Sequence, residues 1–405
     1  MRRSFILFAL FALVIAPHAP AGAVESDMPR PTVAFNDHVR KLAYDGDVLY
    51  VGGRFTFAVG LDGEHVRRDR LAAVDSSSGA LLPFAPSLDG LVHEMVTTAE
   101  HLYVAGEFRH VDDVPMPRLA RFRLDTGELD EHWRPRPSAM VYAVEPFEDR
   151  VYLGGQFATV GGHGRPYLAA VTASDGAVIT SFAPRIQEGA VRDIEIGHGR
   201  LYASGGFDLA EGERRFGKLA AFDLSTGRVD RSFQPSVHVL VRQIALDRDR
   251  VYGALDGRGG EVRAFGPSGE SLWYKAVDGG MQTVALWGDA VIAGGHFDYT
   301  CYTNRAGPSR VCLDGIEYRR GKILAVDRDG ELLPWNPNAN GVTGVWDLET
   351  HPEGASLAVG GSFTTFGGGV VQQQRLALFE WTTAAHGPGA GASGPSARRY
   401  GRLRP

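Results

Sequence analysis

Cysteine is nearly absent from this sequence, with Cys301 and Cys312 as the only two among 405 residues. A structural zinc site takes four ligands, so this pair reaches one only if other residue types join it at suitable spacing. Two close cysteines are more simply a disulfide, which closes a short loop and stabilises it by roughly 3 kcal/mol. We therefore predict a disulfide and no metal site. Disulfides persist in oxidising compartments, which favours an exported protein.

Long hydrophobic runs are absent after the first residues of the chain. The one such run, residues 5–15, follows Arg2 and Arg3 and precedes the small residues 21–23. It is too short to span a bilayer. A basic start, a short apolar stretch and a small-residue exit are typical of a secretory signal peptide. We predict cleavage near Ala23, through the general or the twin-arginine route, and a secreted, extracellular or periplasmic protein without a transmembrane segment.

An excess of basic charge is also lacking. Lysine and arginine number 42 against 48 aspartates and glutamates, and without the arginines of residues 1–23 and 382–405 the balance is 36 against 48, a net charge of −12. A nucleic-acid partner requires a basic face that neutralises phosphates, so the composition argues against one. Residues 382–405, rich in glycine, alanine, proline and arginine, are predicted to form a flexible tail.

Catalytic motifs are missing as well. The sequence has no G-x-S-x-G elbow, no H-E-x-x-H pair and no phosphate loop. Residues 327–330, D-R-D-G, resemble the start of a calcium loop but lack the remaining ligands, so we interpret them as a turn. No catalytic residue is assigned, and no cofactor or metal is predicted.

The sequence does contain a short motif that repeats about every 50 residues. Each copy has an apolar pair, a small-residue run with glycine and, in all but one copy, a phenylalanine. A period of this size, carried by short strands and turn residues, is typical of a radial array of four-stranded sheets. Glycine after the second strand would let neighbouring sheets approach closely. The copies are residues 49–55, 102–108, 151–157, 201–207, 251–255, 291–297 and 357–363.

Each repeat contains four strand-like segments, and the fourth commonly ends in an aromatic residue and a proline, which suits an outer edge strand. The seventh repeat stops after its third segment, whereas residues 31–35 form an extra strand-like segment before the first repeat. Placing that segment on the last sheet closes the array and covers its open edge. We predict an all-β, seven-bladed β-propeller of four-stranded blades over residues 24–381, closed by the N-terminal strand joining the last blade.

These motifs resemble those of a known family. Residues 49–55 read L-Y-V-G-G-R-F, residues 70–75 R-L-A-A-V-D and residues 84–86 F-A-P. The pattern is similar to that of secreted bacterial β-propellers of the delta-60-repeat type, which are distantly kelch-like. The resemblance covers nearly all of the mature chain and implies an exported or surface-associated propeller, with no agreed activity and no catalytic residues to transfer. Residues 222–227 also resemble a segment of quinone-cofactor dehydrogenases, but we interpret them as a turn between strands.

One candidate site lies at the start of the first strand of each repeat, where the residue after the first apolar position is predicted to face the central channel. Converging arginines suit carboxylate, sulfate or phosphate groups through bidentate hydrogen bonds. The alternative is a water-filled channel lined by ordinary polar residues that pair with Glu94 and Asp193. The positions are Arg40, His93, Tyr142, Arg192, Arg242 and Gln282, with Thr343 in the seventh repeat.

A second candidate set surrounds the insertion of the sixth repeat. An aromatic platform with amide donors suits contact with a sugar. The alternative is that the tryptophan is the usual blade-end aromatic residue and that the asparagines form turns. The residues are His296 and Asp298 beside the cysteine loop, and Trp335, Asn336, Asn338 and Asn340 in the loop that leaves the repeat.

The loops that differ between repeats are expected to share one face, and binding residues concentrate on such loops. We therefore expect a secreted or cell-surface binding module, a monomer, that holds an anionic or glycan ligand of an envelope polymer, or a protein partner, on this face. The alternative is an extracellular enzyme that cleaves a polysaccharide or an ester at the channel mouth. An enzyme would bring together two titratable groups with perturbed pKa in a closed pocket, and a binding module would not.

Overall fold

The computed structural model describes residues 27–211, 214–257, 259–301, 305–306, 311–312 and 316–380. Within these residues the chain forms antiparallel β-strands, which confirms the all-β prediction. None of the described residues forms a helix with the length and hydrophobicity needed to cross a membrane. The predicted signal peptide, residues 1–23, and the predicted tail, residues 382–405, lie outside the described residues and stay predictions.

Seven sheets with one plan account for most of the described strands. In each, two strands form a hairpin and a third pairs with the second, because short β-branched and aromatic runs alternate with turn residues. In chain order, sheets 1 to 7 are Val39–Asp45, Val48–Gly53 and Leu71–Asp75; Val92–Thr97, His101–Gly106 and Leu119–Arg123; Val141–Phe147, Arg150–Gly155 and Leu168–Thr172; Val191–Gly197, Arg200–Glu211 and Arg214–Phe222; Leu240–Leu246, Val251–Asp256 and Glu261–Phe265; Met281–Trp287, Ala290–Gly295 and Ile323–Val326; Val345–Thr350, Ser356–Gly361 and Leu376–Glu380.

A regular fourth strand completes one of these sheets among the described residues, where Ser271–Ala276 pairs with the third strand of sheet 5. In sheets 1, 2, 3, 4 and 6 the fourth segment is reduced to a single bridge, so the predicted four-stranded blades have three regular strands there. Prolines and turn residues in these segments limit the ladder. The bridges are Val74↔Leu81, Phe122↔Leu129, Val171↔Val178, Phe222↔Val229 and Val326↔Leu332.

The N-terminal segment contacts both the last sheet and the first. The Arg30 N–H donates to the Leu378 carbonyl oxygen at 2.9 Å and forms an antiparallel bridge to sheet 7. Val33 and Phe35 are fully buried in the hydrophobic cluster that sheets 7 and 1 share. The sequence predicted that residues 31–35 would pair with the last sheet. That prediction is wrong in its register: the bridge to sheet 7 lies at Arg30, and Ala34–Phe35 pairs instead with Phe57–Val59, which follows the second strand of sheet 1.

Short hairpins follow the second strand of several sheets and lie at the end where the first strands begin. They differ in length from sheet to sheet, and in sheet 4 the second and third strands themselves extend into the hairpin. The pairs are Phe57–Val59 with His65–Arg67, His110–Val111 with Val114–Pro115, Thr159–Val160 with His163–Gly164, Tyr299–Cys301 with Glu317–Arg319, Arg305–Ala306 with Val311–Cys312, and Thr365–Phe366 with Val371–Gln372.

Neighbouring sheets pack through their first strands. The first strand of each sheet contacts that of the next, and the first strand of sheet 7 contacts that of sheet 1. A Cβ atom on Gly52 would lie 2.6 Å from Val92 Cγ1, and one on Gly360 would lie 2.7 Å from Val39 Cγ1. Because no side chain fits at these distances, glycine after the second strand permits the close approach between sheets that the sequence predicted.

A left-handed backbone occurs at the residue before the third strand in five of the described sheets, and at Lys218 within the longer third strand of sheet 4. In sheet 1 the Arg70 φ is 72°, its N–H donates to the Phe55 carbonyl at 3.0 Å, and its carbonyl accepts the Gly53 N–H at 2.9 Å. This conformation costs a non-glycine residue roughly 1–2 kcal/mol. The two hydrogen bonds, which wrap the chain around the buried phenylalanine, hold it in place. The same φ recurs at Arg118, Tyr167, Lys218, Lys322 and Arg375.

Candidate functional site

A β-bulge interrupts the hairpin of every one of the seven sheets at the same place. In sheet 1 Val39 pairs with Gly53 and Lys41 with Gly52, so Arg40 between them is an extra residue. An extra residue in one strand bends that strand and re-aims its side chain. We call the equivalent residues of the described sheets the bulge residues: Arg40, His93, Tyr142, Arg192, Arg242, Gln282 and Trp346.

Six of the bulge residues are candidate positions named from the sequence. For sheet 7 the sequence named Thr343, and that prediction is wrong. The first strand of sheet 7 begins at Val345, so Trp346 occupies the equivalent place. Thr343 lies in the preceding loop, where its hydroxyl oxygen accepts a hydrogen bond from Trp346 Nε1 at 3.3 Å. Trp346 is the residue after the first apolar position of its strand, so the same sequence rule identifies it.

Four bulge residues contact a side chain at the end of the second strand of their own sheet. That side chain comes one residue after the partner of the first apolar residue. These contacts satisfy their polar groups locally, because each partner offers an acceptor or a donor of matching kind. The atom pairs are His93 Nε2 with Glu107 Oε1 at 3.0 Å, Tyr142 Oη with Gln156 Oε1 at 3.0 Å, Arg242 Nε with Asp256 Oδ2 at 2.7 Å, and Gln282 Nε2 with His296 Nδ1 at 3.2 Å.

Arg40 and Arg192 lack such a partner. The position that supplies it in the other sheets is Arg54 in sheet 1 and Gly206 in sheet 4, and neither offers an acceptor side chain. Within the described residues, neither Arg40 nor Arg192 has a hydrogen bond or an ion pair, and the Arg40 Nε atom is buried without an acceptor. Two guanidinium groups at this end of the sheets are therefore free to bind an anion.

Each of these two arginines lies over an aromatic ring of the preceding sheet. Arg40 Cζ is 3.7 Å from the centre of the Trp346 ring, and Arg192 Cζ is 4.0 Å from the centre of the Tyr142 ring. Cation–π attraction stabilises both arrangements. Because a stacked guanidinium keeps its N–H groups at its edge, each arginine is oriented without using its hydrogen bonds.

Charges of both signs act on His93, from Glu107 on the one hand and from Arg40 and Arg192 on the other. Burial lowers the pKa of His93, and the charges of Arg40 and Arg192 lower it further against the raising effect of Glu107. Burial also lowers the pKa of Arg40, and Arg54 and Arg242 act in the same direction. The imidazole of His93 is therefore mainly neutral near pH 7, whereas the arginines stay charged.

A second set of charged and polar residues lies one position further along the first strands. We call Lys41, Glu94, Asp193, Gln243 and Asp347 the buried cluster. Lys41 Nζ is 3.1 Å from Glu94 Oε1 and 3.5 Å from Asp347 Oδ1, and Asp347 is 1% exposed. Gln243 Nε2 donates to Asp347 Oδ1 at 3.4 Å. Four sheets therefore meet through polar side chains next to the bulge residues, and the charge of Asp193 from sheet 4 acts on both Lys41 and Glu94.

The buried cluster also bonds the backbone of neighbouring sheets. Asp347 Oδ2 accepts the Leu42 N–H at 2.9 Å, which joins sheet 7 to sheet 1. In the same way, Asp193 Oδ2 accepts the Ile244 N–H at 2.7 Å, which joins sheet 4 to sheet 5. The first strand is an edge strand of its sheet, so its N–H groups need acceptors from outside. The acidic residues supply these acceptors.

The pKa values within the buried cluster move in opposite senses for the acids and the base. Burial raises the pKa of Glu94 to about 8, with Asp193 and Asp347 raising it and Lys41 lowering it. Burial also raises the pKa of Asp347. Burial acts to lower the pKa of Lys41, but Asp347 and Glu94 outweigh it and raise that pKa well above its ordinary value. The cluster therefore favours one bound proton on Glu94 at neutral pH.

Within the described residues Glu94 pairs with none of the arginines among the bulge residues, because its carboxyl group contacts Lys41. Asp193 accepts the Ile244 N–H within the buried cluster. Of the three arginines among the bulge residues, Arg242 alone pairs with a carboxylate in the described part of the chain, and that carboxylate is Asp256. The sequence did not single out Lys41, Gln243 or Asp347, although they occupy one repeat position.

The second candidate set does not form one surface. Trp335 is 3% exposed and meets Trp287 and Phe379 edge-on within the core, so its ring is no open platform. Its burial fits the blade-end alternative. Asp298 Oδ1 pairs with Lys322 Nζ at 2.9 Å. His296 joins the bulge residue Gln282 instead.

The asparagines of this set make hydrogen bonds to other segments of the chain. Asn340 Oδ1 accepts the N–H groups of Thr364 and Thr365 at 2.7 and 2.9 Å. Asn338 has a left-handed backbone and accepts a hydrogen bond from Arg319. The Asn336 N–H donates to Asp27 Oδ1 at 2.9 Å. These contacts fit the alternative in which the asparagines form turns.

Two motifs interpreted as turns are turns in the structure. Asp223 Oδ1 accepts hydrogen bonds from the N–H and hydroxyl groups of Ser225 and Thr226, which lower its pKa to about 2. Asp327 Oδ1 accepts the N–H groups of Asp329 and Glu331. Across the described ranges, no three His, Cys, Asp or Glu side chains are grouped so as to hold a metal ion.

The two cysteines form the predicted disulfide, with an S–S distance of 2.07 Å. Both are buried, Cys301 at 0% and Cys312 at 4% exposure. Cys301 ends a strand that pairs with Glu317–Arg319. The bridge therefore ties the insertion of sheet 6 back onto its own base.

No family model matches the chain. No curated protein matches it either. Among solved structures, the chain is similar to the computationally designed Ika8 protein, with a TM-score of 0.51 and 11% sequence identity over 86% of this chain and 97% of that one. At this identity the likeness concerns the fold alone and carries no function. The resemblance to delta-60-repeat propellers stays a prediction.

Proposed function

We propose that the chain is a seven-bladed β-propeller, closed by its N-terminal segment, that is exported and binds an anionic group of an envelope polymer or glycan. Three contacts support the closure. The first strand of sheet 7 contacts that of sheet 1, Gly360 packs against Val39, and the Arg30 N–H donates to Leu378. In a closed order of sheets the bulge residues surround one mouth of the central channel.

The observation that carries the binding role is the state of Arg40 and Arg192. Both are partly buried, both stack on an aromatic ring, and neither has a carboxylate partner among the described residues. A ligand carboxylate, sulfate or phosphate supplies the acceptors that the neighbouring residues do not. A hydrogen bond to a charged group contributes about 1.5–3 kcal/mol, so each arginine is worth a tenfold change in affinity or more.

The arrangement also lowers the cost of binding. The rings of Trp346 and Tyr142 hold the two guanidinium groups in place before a ligand arrives. Side chains that are ordered in advance lose less conformational entropy on association. The Cys301–Cys312 disulfide and the predicted signal peptide support export, where an envelope polymer or glycan is accessible.

Cleavage at the same mouth is the second candidate function, and one contact favours it. His93 Nε2 lies 3.0 Å from Glu107 Oε1, and its pKa is lowered, as expected of a neutral base held by a carboxylate. An acid partner with a raised pKa is needed as well. Glu94 and Asp347 have raised pKa values but are 8% and 1% exposed and engaged with Lys41. Binding is therefore the better supported role.

The test is a screen of envelope polymers and anionic glycans against the wild-type protein and the Arg40→Gln plus Arg192→Gln variant. We expect the dissociation constant of an anionic ligand to rise by about a hundredfold, tenfold for each arginine. Arg123→Gln is the matched control. It removes the same charge at an exposed site paired with Asp125, at the end of a third strand. Equal binding by the double variant and the wild type contradicts the proposal.

A further inference from the structure

Two arginine–aromatic pairs occur among the bulge residues, and both have the same construction. Arg40 of sheet 1 lies over Trp346 of sheet 7, and Arg192 of sheet 4 lies over Tyr142 of sheet 3. In each pair the aromatic residue belongs to the sheet that precedes the arginine. We call these pairs the two stations.

The two stations lie on different sides of the mouth. In a closed order of seven sheets, sheets 1 and 4 are three steps apart in one direction and four in the other. His93 of sheet 2 lies between them. Its ring meets that of Tyr142 edge-on with centroids 5.2 Å apart, and both Arg40 and Arg192 act on its charge. A single ligand bound at both stations therefore has to extend across the mouth.

The mouth between the stations is not basic. On one side Glu107 faces His93, and on the other Asp256 neutralises Arg242. Carboxylates accept hydrogen bonds from hydroxyl groups and repel anions. A ligand with a charge on every unit, such as polyphosphate, sets anionic groups against Glu107 and Asp256. A ligand whose anionic groups are separated by hydroxyl-bearing units avoids this repulsion.

We infer that the ligand is an oligosaccharide with carboxylate or sulfate groups on at least two of its units, one bound at each station. This inference rests on the proposed anion-binding function of the mouth. Once the first group is bound, the linker holds the second at an effective concentration in the millimolar range, which raises overall affinity without any new contact. Affinity therefore depends on ligand length, with a rise once the oligosaccharide spans the two stations.

The experiment measures binding by titration calorimetry. The probes are galacturonate, oligogalacturonates of increasing length, sulfated oligosaccharides of the same lengths, and polyphosphate. We expect weak binding of the monomer and a gain of about tenfold for a spanning oligomer of one saccharide series, because the second station adds one arginine. Arg40→Gln and Arg192→Gln each reduce the long oligomer to the affinity of the monomer, because either change leaves one station. Arg123→Gln retains the gain.

The outcomes separate this inference from the proposed function. An affinity that falls in the arginine variants but does not depend on length overturns the two-station inference and leaves anion binding intact. Polyphosphate that binds more tightly than both saccharide series overturns it as well. If no probe binds the wild type, both proposals fail. Urea midpoints are measured for each variant, and where a glutamine variant is destabilised, Arg40→Lys and Arg192→Lys, which keep the charge but lose the planar fork, carry the comparison.

Discussion

Arg40 and Lys41 are consecutive cations in one strand, yet their environments are opposite. Arg40 lies in the bulge, stacks on Trp346 and has no carboxylate partner in the described part of the chain. Lys41 returns to the ladder opposite Gly52 and lies between two buried carboxylates. The bulge causes the difference, because one extra residue re-aims one side chain and leaves the next in register.

The same division recurs along the other first strands. His93 and Glu94 are neighbours, as are Arg192 and Asp193, and in each pair the second residue belongs to the buried cluster. The cluster bonds the edge of one sheet to the next, so its charges are used in holding the sheets together. The bulge residues contribute little to holding the sheets together. Their charges are therefore available to a ligand.

Among the changes that distinguish the buried cluster from the bulge residues, we expect Lys41→Met to have the largest effect on stability. Removal of this cation leaves the carboxylate of Asp347 buried without its ion-pair partner, and breaking a buried pair costs about 3–5 kcal/mol. Arg40→Met, one residue away, loses mainly its stacking on Trp346, about 1 kcal/mol. Urea unfolding of the two variants measures the contrast.

Lys41→Arg serves as the control for that pair, because it keeps the charge within the cluster. We expect it to unfold closer to the wild type than Lys41→Met does. Equal urea midpoints for Lys41→Met and Arg40→Met would contradict the distinction between a buried cluster that stabilises the fold and bulge residues that do not.

A smaller effect is expected from Glu94→Gln, and it depends on pH. The pKa of Glu94 is raised in the folded state from its ordinary value of 4.5 to about 8, mainly by burial. Between these values the folded chain holds a proton that the unfolded chain releases, so the free energy of unfolding falls as pH rises from about 4.5 to about 8. Glutamine has no proton to lose there.

The measurement is the urea midpoint of the wild type and Glu94→Gln across this pH range. The variant gains stability relative to the wild type as pH rises, and the difference levels off above pH 8. Asp347, whose pKa is also raised, gives both proteins a decline of the same sign. Glu107→Gln, a change of the same type at the mouth, is the matched control. Parallel pH profiles for Glu94→Gln and the wild type contradict the assignment of the proton to Glu94.

The smallest effect is expected at Tyr142. Its substitution tests the bulge residues alone, through their binding of an anion. Tyr142→Leu removes the ring under Arg192, a contact worth about 0.5–1 kcal/mol, and is expected to weaken anion binding about two- to fivefold. Tyr142→Phe keeps the ring and loses only the hydrogen bond to Gln156. Calorimetry with a bound anionic ligand distinguishes them, and equal losses in the two variants show that stacking does not orient Arg192.

Much of the fold was predictable because it is carried by local patterns. The recurring glycine indicated where neighbouring sheets approach closely, and the structure has this approach at Gly52. The disulfide followed from two close cysteines in a chain with no others. The predicted sugar platform is not found at Trp335, because the ring is buried. The sequence identifies an aromatic residue but does not show whether other residues cover its ring.

Repetition in the amino-acid sequence determined the all-β class, the hairpins and six of the seven bulge residues, because each is specified by residues within one repeat. Tertiary structure alone decided which charges are paired. Lys41, Glu94 and Asp347 belong to three different sheets and lie up to 306 positions apart in the sequence. Arg40 and Arg192 have no carboxylate partner among the described residues, because Arg54 and Gly206 occupy the position at which other sheets have a hydrogen-bonding side chain. Electrostatic pairing depends on distance in space, which no local pattern of residues encodes.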